Sequence, residues 1–133
     1  MIQRVETHGA PEAIGPYSQA IKSGGWMFVS GQIPLDPVTG QLVVGDVVCQ
    51  AERVMENLGA ILDAAGVGFG DVVKTTLYLR DLNDFSVVNE VYGRYFGVPY
   101  PARATVGVVG LPRGALLELE AVVQLPAGGM GDA

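Results

Sequence analysis

Apolar residues follow a helical period in only two segments of this chain. Across residues 46–66 they recur at steps of three and four, which is typical of one face of an amphipathic helix. Asp46 is placed to cap the start of this helix, and Gly66 is placed to end it. Residues 84–96 show the same spacing, with Gly97 just beyond the end. The sequence therefore predicts two long helices.

Five further segments have the β-branched composition or the alternation that is typical of strands. They are residues 17–22, 26–30, 72–79, 103–109 and 116–125. Ser23-Gly24-Gly25 separates the first two segments, which predicts a β-hairpin. The predicted order is β-β-α-β-α-β-β, an α+β domain with a mixed sheet and two helices that can cover only one of its faces.

Several of these strands are apolar on both faces. Adjacent pairs such as Val72-Val73, Leu116-Leu117 and Val122-Val123 place one apolar side chain on each side of the sheet. A strand that is buried on both sides needs a second covering layer. Because both helices are already assigned to one face, other copies of the chain are the expected cover. The sequence therefore predicts a homo-oligomer.

Length and composition limit the possible classes of protein. A chain of 133 residues fits one domain, predicted over residues 1–125, with a flexible tail over 126–133. Its single cysteine, Cys49, has no internal disulfide partner, and the N-terminus has no signal-peptide pattern, so we expect a cytoplasmic protein. No apolar stretch is long enough to span a membrane. The net charge of −6, with eight scattered lysines and arginines, argues against nucleic-acid binding.

The last predicted strand carries two acidic residues on one face. Glu118 and Glu120 are two positions apart, and Leu116 and Val122 flank them on the same face. A carboxylate in partly apolar surroundings has a raised pKa and can act as a general acid or base near neutral pH. A solvated strand face is the alternative interpretation, and the spacing does not say which glutamate is chemical.

Four other polar residues are candidates for a binding site. Arg103 opens a strand beside a loop, and its planar fork suits a carboxylate, although a surface salt bridge would also explain it. The predicted hairpin brings Tyr17 and Ser30 near each other, but they could be a packing aromatic and a turn residue. Asn89 lies within a predicted helix, where asparagine is mildly disfavoured, and solvent exposure alone could account for it.

Other catalytic patterns are absent from the sequence. Its one histidine, His8, has no Cys or His cluster around it with metal-ligand spacing. No phosphate-binding fingerprint joins a strand to a helix. Ser30 has no evident partner for a catalytic triad.

Several segments together resemble the RidA/YjgF family of reactive-intermediate deaminases. The resemblance begins with AIGPYSQA at residues 13–20 and VSGQIPLDPVTG at residues 29–40. It continues, in order, through ENL at 56–58, DVVKTT at 71–76, LNDF at 82–85, PAR at 101–103, LPRGA at 111–115 and ELEA at 118–121. These segments extend over roughly residues 5–124, so the resemblance covers nearly the whole chain.

The resemblance implies a fold, an assembly and an activity. The fold would be chorismate-mutase-like, and the assembly a homotrimer whose three sheets line a central barrel-like core. Active sites would lie in clefts between subunits. They would hydrolyse imines tautomerised from enamines such as 2-aminoacrylate, giving 2-keto acids and ammonia, without a metal or an organic cofactor.

The resemblance also implies roles for particular residues. Arg103 would hold the substrate carboxylate, and Glu118 would position or activate the attacking water. The remaining catalytic and pocket-lining residues would be Tyr17, Ser30, Gly31, Asn89 and Thr105. Some bacterial members have cysteine where this chain has Thr105. The resemblance implies that this position contributes mainly through its backbone, so Thr105 stays among the site residues without a side-chain role.

Two other functions are compatible with the same family. One is a non-catalytic module that binds a small carboxylate and regulates a partner, because the same pocket would serve it. The other is a ribonuclease, which the acidic composition disfavours. Arg103 favours the deaminase, since family branches that lack this arginine are not expected to act on 2-imino acids in the same way.

Overall fold

Six strands form one mixed sheet in the computed structural model of the chain, which describes residues 1–127. In chain order the elements are β1 (Gln3–Val5), β2 (Ala20–Ser23), β3 (Trp26–Gln32), α1 (Val47–Ala64), β4 (Val72–Leu79), α2 (Phe85–Tyr95), β5 (Ala102–Gly107) and β6 (Leu117–Gln124). The strand order is β1-β2-β3-β6-β4-β5, and only β4 and β5 pair in parallel.

The predicted α+β class, both helices and all five predicted strands are confirmed, with differences at the strand ends. Strand β2 starts at Ala20 rather than Tyr17, because the chain before it turns, with the Tyr17 amide donating to the Gly15 carbonyl. The sequence pattern missed β1, a three-residue edge strand that is too short to show alternation. All but the first two residues of the tail predicted over 126–133 lie outside the described residues.

Helix α1 has the ends that the sequence predicts. The Asp46 carboxylate accepts a hydrogen bond from the Cys49 amide at 3.0 Å and so caps the first turn. Gly66 follows the last turn with φ +77°, a left-handed conformation that glycine adopts without strain. Within residues 1–127, no helix is long and apolar enough to cross a membrane.

The hydrophobic core lies between the two helices and one face of the sheet. The alternate residues of β6, from Leu117 to Val123, are buried on that face, and they pack with the apolar stripe of α1. The fully buried side chains include Met27, Val54, Leu58, Ile61, Leu62, Leu77, Leu79, Val91, Leu117, Leu119 and Val123. The helices therefore cover the central strands on one face of the sheet.

The other face, here named the open face, remains accessible in the single chain. Its members include Trp26, Phe28, Lys74, Thr76, Tyr78, Val106, Glu118, Glu120 and Val122. Phe28 lies directly opposite Val122 in the ladder and is 50% exposed, and Val106 is 41% exposed. Large apolar side chains on an uncovered sheet face are typical of an interaction surface.

A buried asparagine ties helix α1 to the segment that follows β3. The Asn57 amide nitrogen donates to the carbonyls of Ile33 and Leu35 at 3.3 and 3.1 Å, and its oxygen accepts from Arg53 Nε at 3.0 Å. Asn57 is fully buried. Since buried carbonyls without partners are costly, this side chain fixes the path of the loop.

We expect Asn57→Ala to lower the free energy of unfolding by about 1–3 kcal/mol, because the buried Leu35 carbonyl loses its donor and the Ile33 carbonyl keeps only the Leu35 amide. Urea denaturation at one fixed protein concentration measures this change. Asn89→Ala is the matched control, since Asn89 is exposed on α2. Equal effects of the two substitutions would contradict the structural role given to Asn57.

Candidate functional site

The site residues predicted from the sequence lie in two separate clefts. The glutamate cleft, of about 480 Å³, is lined by Tyr17, Ser30, Gly31 and Glu118, together with segments on either side of β3. The arginine cleft, of about 440 Å³, lies between α2 and the start of β5 and is lined by Asn89, Tyr92, Gly93, Tyr100, Pro101 and Arg103. Thr105 lines neither cleft.

A β-bulge shapes the floor of the glutamate cleft. Val29 pairs with Ala121, but the next paired residues are Gln32 and Leu119, so two residues of β3 oppose Glu120 alone. These two residues are Ser30 and Gly31. The bulge brings the Gly31 backbone so close to Glu118 that a Cβ at position 31 would overlap the Glu118 carboxylate. Any larger residue there would force the Glu118 side chain to move away from the β3 backbone.

Glu118 and Glu120 differ in their surroundings although they share a face. Glu118 is half-buried, and burial, followed by the charge of Glu120, raises the pKa of its carboxyl group. Within residues 1–127, no side chain forms a hydrogen bond or ion pair with the Glu118 carboxylate. Glu120 is exposed and accepts a hydrogen bond from the Tyr78 hydroxyl at 2.9 Å. Glu118 is thus the carboxylate that is suited to proton transfer.

The hydroxyl groups of the glutamate cleft come from the hairpin and the loop before it. Ser30 Oγ donates to the Ser18 carbonyl at 2.6 Å, which leaves the oxygen lone pairs free to accept from a ligand. Tyr17 is 55% exposed. The buried Gln19 side chain binds backbone atoms of Thr7, Ala10 and Pro11, and it thereby holds the N-terminal segment against the cleft.

Two aromatic rings hold the guanidinium of Arg103 in the arginine cleft. It lies 4.7 Å from the centre of the Tyr92 ring and 5.3 Å from the centre of the Phe85 ring. Tyr92 is itself fixed, because its hydroxyl shares a 2.8 Å hydrogen bond with the buried Thr75 hydroxyl. Burial raises the pKa of Tyr92, so this hydroxyl stays protonated. The aromatic contacts orient the planar fork without neutralising its charge.

Arg103 has no acidic partner within residues 1–127. The ion pairs of this part of the chain involve Arg4, Arg53 and Arg94. The alternative interpretation of Arg103, a surface salt bridge, is therefore not observed within residues 1–127. An oriented guanidinium with free donors in a cleft is suited to bind a carboxylate through two parallel hydrogen bonds.

The two clefts belong to opposite faces of the sheet. Arg103 pairs with Thr75, which is buried under the helices, so its side chain points to the helix-covered face. Glu118 pairs with Tyr78 on the open face. Because successive side chains of a strand alternate, one small molecule cannot contact both groups within a single chain. The two clefts of one chain therefore do not meet.

Three residues that contact Arg103 or Glu120 were not identified as site residues from the sequence. Phe85 and Tyr92 were visible only as members of the apolar stripe of α2, which gave no sign that they stack on an arginine. Tyr78 looked like one residue of an alternating strand. Its contact with Glu120 depends on strand register, which the sequence does not display.

Within residues 1–127, no group of three or more His, Cys, Asp and Glu side chains is arranged to hold a metal ion. The chemical groups available in the two clefts are therefore a guanidinium, a carboxyl group with a raised pKa, hydroxyl groups and the Asn89 amide.

Comparison with known proteins places this fold in one family. Residues 7–125 match the family described as Endoribonuclease L-PSP. The human 2-iminobutanoate/2-iminopropanoate deaminase is 51% identical, over 92% of this chain and 90% of that protein. Two crystal structures are closely similar: RidA from an Antarctic Psychrobacter (TM-score 0.89, 46% identity, 92% of this chain and 99% of that one) and E. coli TdcF with bound serine (TM-score 0.88, 43% identity, 93% and 99%). The chain therefore belongs to the Endoribonuclease L-PSP family, which includes the RidA/YjgF proteins that its sequence resembles.

Proposed function

We propose that the protein hydrolyses small 2-imino acids, formed from enamines such as 2-aminoacrylate, to 2-keto acids and ammonia. The observation that carries this proposal is the oriented Arg103 guanidinium without an acidic partner in residues 1–127. A group of this kind selects a substrate carboxylate. The mammalian relatives named 2-iminobutanoate/2-iminopropanoate deaminase, and the serine bound to E. coli TdcF, support a small substrate with a carboxylate.

The complete site would form between two copies of the chain. The arginine cleft of one subunit would face the glutamate cleft of its neighbour, since the two lie on opposite faces of one sheet. The exposed apolar side chains of the open face favour such contacts, and we propose a homotrimer in which the three open faces line a central core. Closed cyclic symmetry would give every subunit the same pair of neighbours.

In the proposed mechanism, Arg103 binds the substrate carboxylate and fixes the imine carbon near Glu118 of the neighbouring subunit. Ionised Glu118 removes a proton from a water molecule as its oxygen attacks the C=N carbon. Glu118 then passes this proton to the imine nitrogen, which becomes the amine of a tetrahedral carbinolamine, and the carboxylate is regenerated. Transfer of the hydroxyl proton to nitrogen then expels ammonia and leaves the 2-keto acid.

The other cleft residues would position the reactants. Ser30 Oγ can accept a hydrogen bond from the attacking water, because its own proton is donated to Ser18. The Gly31 backbone lies against the Glu118 carboxylate, so a ligand can approach that group closely. The Tyr17 hydroxyl and the Asn89 amide supply further hydrogen bonds, one from each cleft.

Replacement of Arg103 tests the carboxylate anchor. We expect Arg103→Ala to weaken substrate binding by about 2–5 kcal/mol, seen as a higher KM and as lost calorimetric binding of a 2-keto acid product. Arg103→Lys should recover only part of this loss, since an ammonium group cannot form the bidentate contact. Arg80→Ala is a matched control at an exposed arginine. Unchanged activity in Arg103→Ala would remove the arginine from the mechanism.

Replacement of the two glutamates separates catalysis from simple binding. Glu118→Gln should lower kcat by about 10²–10⁴-fold while product binding persists, because the amide keeps the shape and loses the base. Glu120→Gln should lower kcat much less than Glu118→Gln does when both are measured at the optimal pH. If Glu118→Gln had full activity, the proton would be transferred elsewhere. If the wild-type protein bound keto acids without accelerating imine hydrolysis, the chain would be a non-catalytic binding module.

The pH dependence follows from the raised pKa of Glu118. As a base, Glu118 must be ionised, so kcat/KM should fall as the pH drops through a pKa above that of an ordinary glutamate. A pH–rate profile measures this midpoint. An acid limb at or below the ordinary glutamate value would contradict the assignment.

Light scattering should give a mass of about three times 13.9 kDa. Phe28→Asp, on the open face, should dissociate the assembly because it buries a charge. Val44→Asp introduces the same charge at a valine that is 97% exposed and should leave the mass unchanged. A wild-type monomer at micromolar concentration would contradict both the assembly and the shared site.

A further inference from the structure

A tyrosine on the neighbouring strand holds the second glutamate of β6. Strand register places Tyr78 directly opposite Glu118, and Thr76 directly opposite Glu120. The Tyr78 hydroxyl nevertheless reaches diagonally and donates to Glu120 Oε1 at 2.9 Å. Tyr78, Glu118 and Glu120 therefore form a compact cluster on the open face.

The hydrogen bond restrains a side chain that would otherwise be mobile. In the single chain Glu120 is exposed, and a free carboxylate at such a position would turn toward solvent, where water and salt screen its charge. A phenol–carboxylate hydrogen bond is charge-assisted and is stronger than one between neutral groups. The same bond, followed by burial, raises the pKa of Tyr78, so the phenol remains a donor through the neutral range.

Few other charges act on Glu118. Glu120 lies on its own strand, Tyr78 faces it from β4, and the exposed Lys74 lies farther along β4, opposite Val122. Tyr17 and Glu12 line the glutamate cleft from the N-terminal segment, whereas β3 contributes the uncharged Ser30 and Gly31. No lysine or arginine is among the described residues that line this cleft. The neighbouring Glu120 is therefore the main charge that can influence the Glu118 proton.

We propose that Tyr78 is a positioning residue: its hydroxyl holds the Glu120 carboxylate beside Glu118, and this fixed negative charge disfavours loss of the Glu118 proton. Tyr78 acts through Glu120 and does not itself touch the substrate. The catalytic value of this arrangement rests on the proposed function, since a base is most effective when its pKa is close to the working pH.

The direct test measures the Glu118 carboxyl carbon by NMR titration in the substrate-free assembly, so it does not depend on activity. Tyr78→Phe keeps the ring and removes the donor. Glu120→Gln removes the charge and leaves Tyr78 in place. We expect both variants to lower the Glu118 titration midpoint, on the order of half a pH unit for loss of one nearby charge. Tyr95→Phe, on α2, should leave the midpoint unchanged.

The double variant decides whether Tyr78 acts through Glu120. Tyr78→Phe combined with Glu120→Gln should give the same midpoint as Glu120→Gln alone. An unchanged midpoint in Tyr78→Phe, or additive shifts in the double variant, would overturn the proposal. Light scattering of each variant verifies that the assembly is intact.

A pH–rate profile of the same variants tests the positioning role of Tyr78 and the catalytic role of Glu118 separately. If Glu118 is the base, the acid limb of kcat/KM should shift to lower pH with the NMR midpoint in both variants. Shifted NMR midpoints with an unshifted acid limb would support the positioning role of Tyr78 and would refute the catalytic role of Glu118.

Discussion

The alternation of side chains along a β-strand determines where each group of the candidate site lies. Arg103 on β5 shares its face with Thr75 and the helices, and Glu118 on β6 shares the open face with Tyr78. Neither side chain can change faces without a register slip that would move every buried residue of its strand. The sheet that forms the core thus also separates the two groups, and a substrate that needs both must bind between chains.

Each cleft contains one ionisable side chain that is held in place by its neighbours and that forms no ion pair within residues 1–127. The β-bulge at Ser30 and Gly31 lets the Glu118 carboxyl pack against backbone and lose water, which raises its pKa. The rings of Phe85 and Tyr92 hold the Arg103 guanidinium without supplying a negative charge. A chain selected only for stability would pair such groups, so their isolation within residues 1–127 is the pattern expected of a binding site.

The elements that the sequence predicts best are the long, periodic ones. Helix α1 shows its apolar stripe and both ends, and β4 was predicted with its observed bounds. Strand β1 is too short to show a period, and the bulge at Gly31 leaves no local signal. The sequence showed that Glu118 and Glu120 share a face. It did not show that Glu118 is half-buried against β3 while Glu120 is exposed and bonded to Tyr78, which lies 42 positions before it. Such contacts depend on strand register. The sequence therefore identified both glutamates as candidates but did not distinguish their environments.

Subunit complementation tests most directly whether the two clefts form one site between chains. Arg103→Ala and Glu118→Gln subunits would be unfolded together, refolded as a one-to-one mixture, and assayed for imine hydrolysis. If each site takes its arginine from one subunit and its glutamate from another, about one quarter of the sites regain both groups, and that share of wild-type activity should return. If mass spectrometry shows mixed assemblies and their activity stays at the level of the separate variants, the clefts do not combine and the account is wrong.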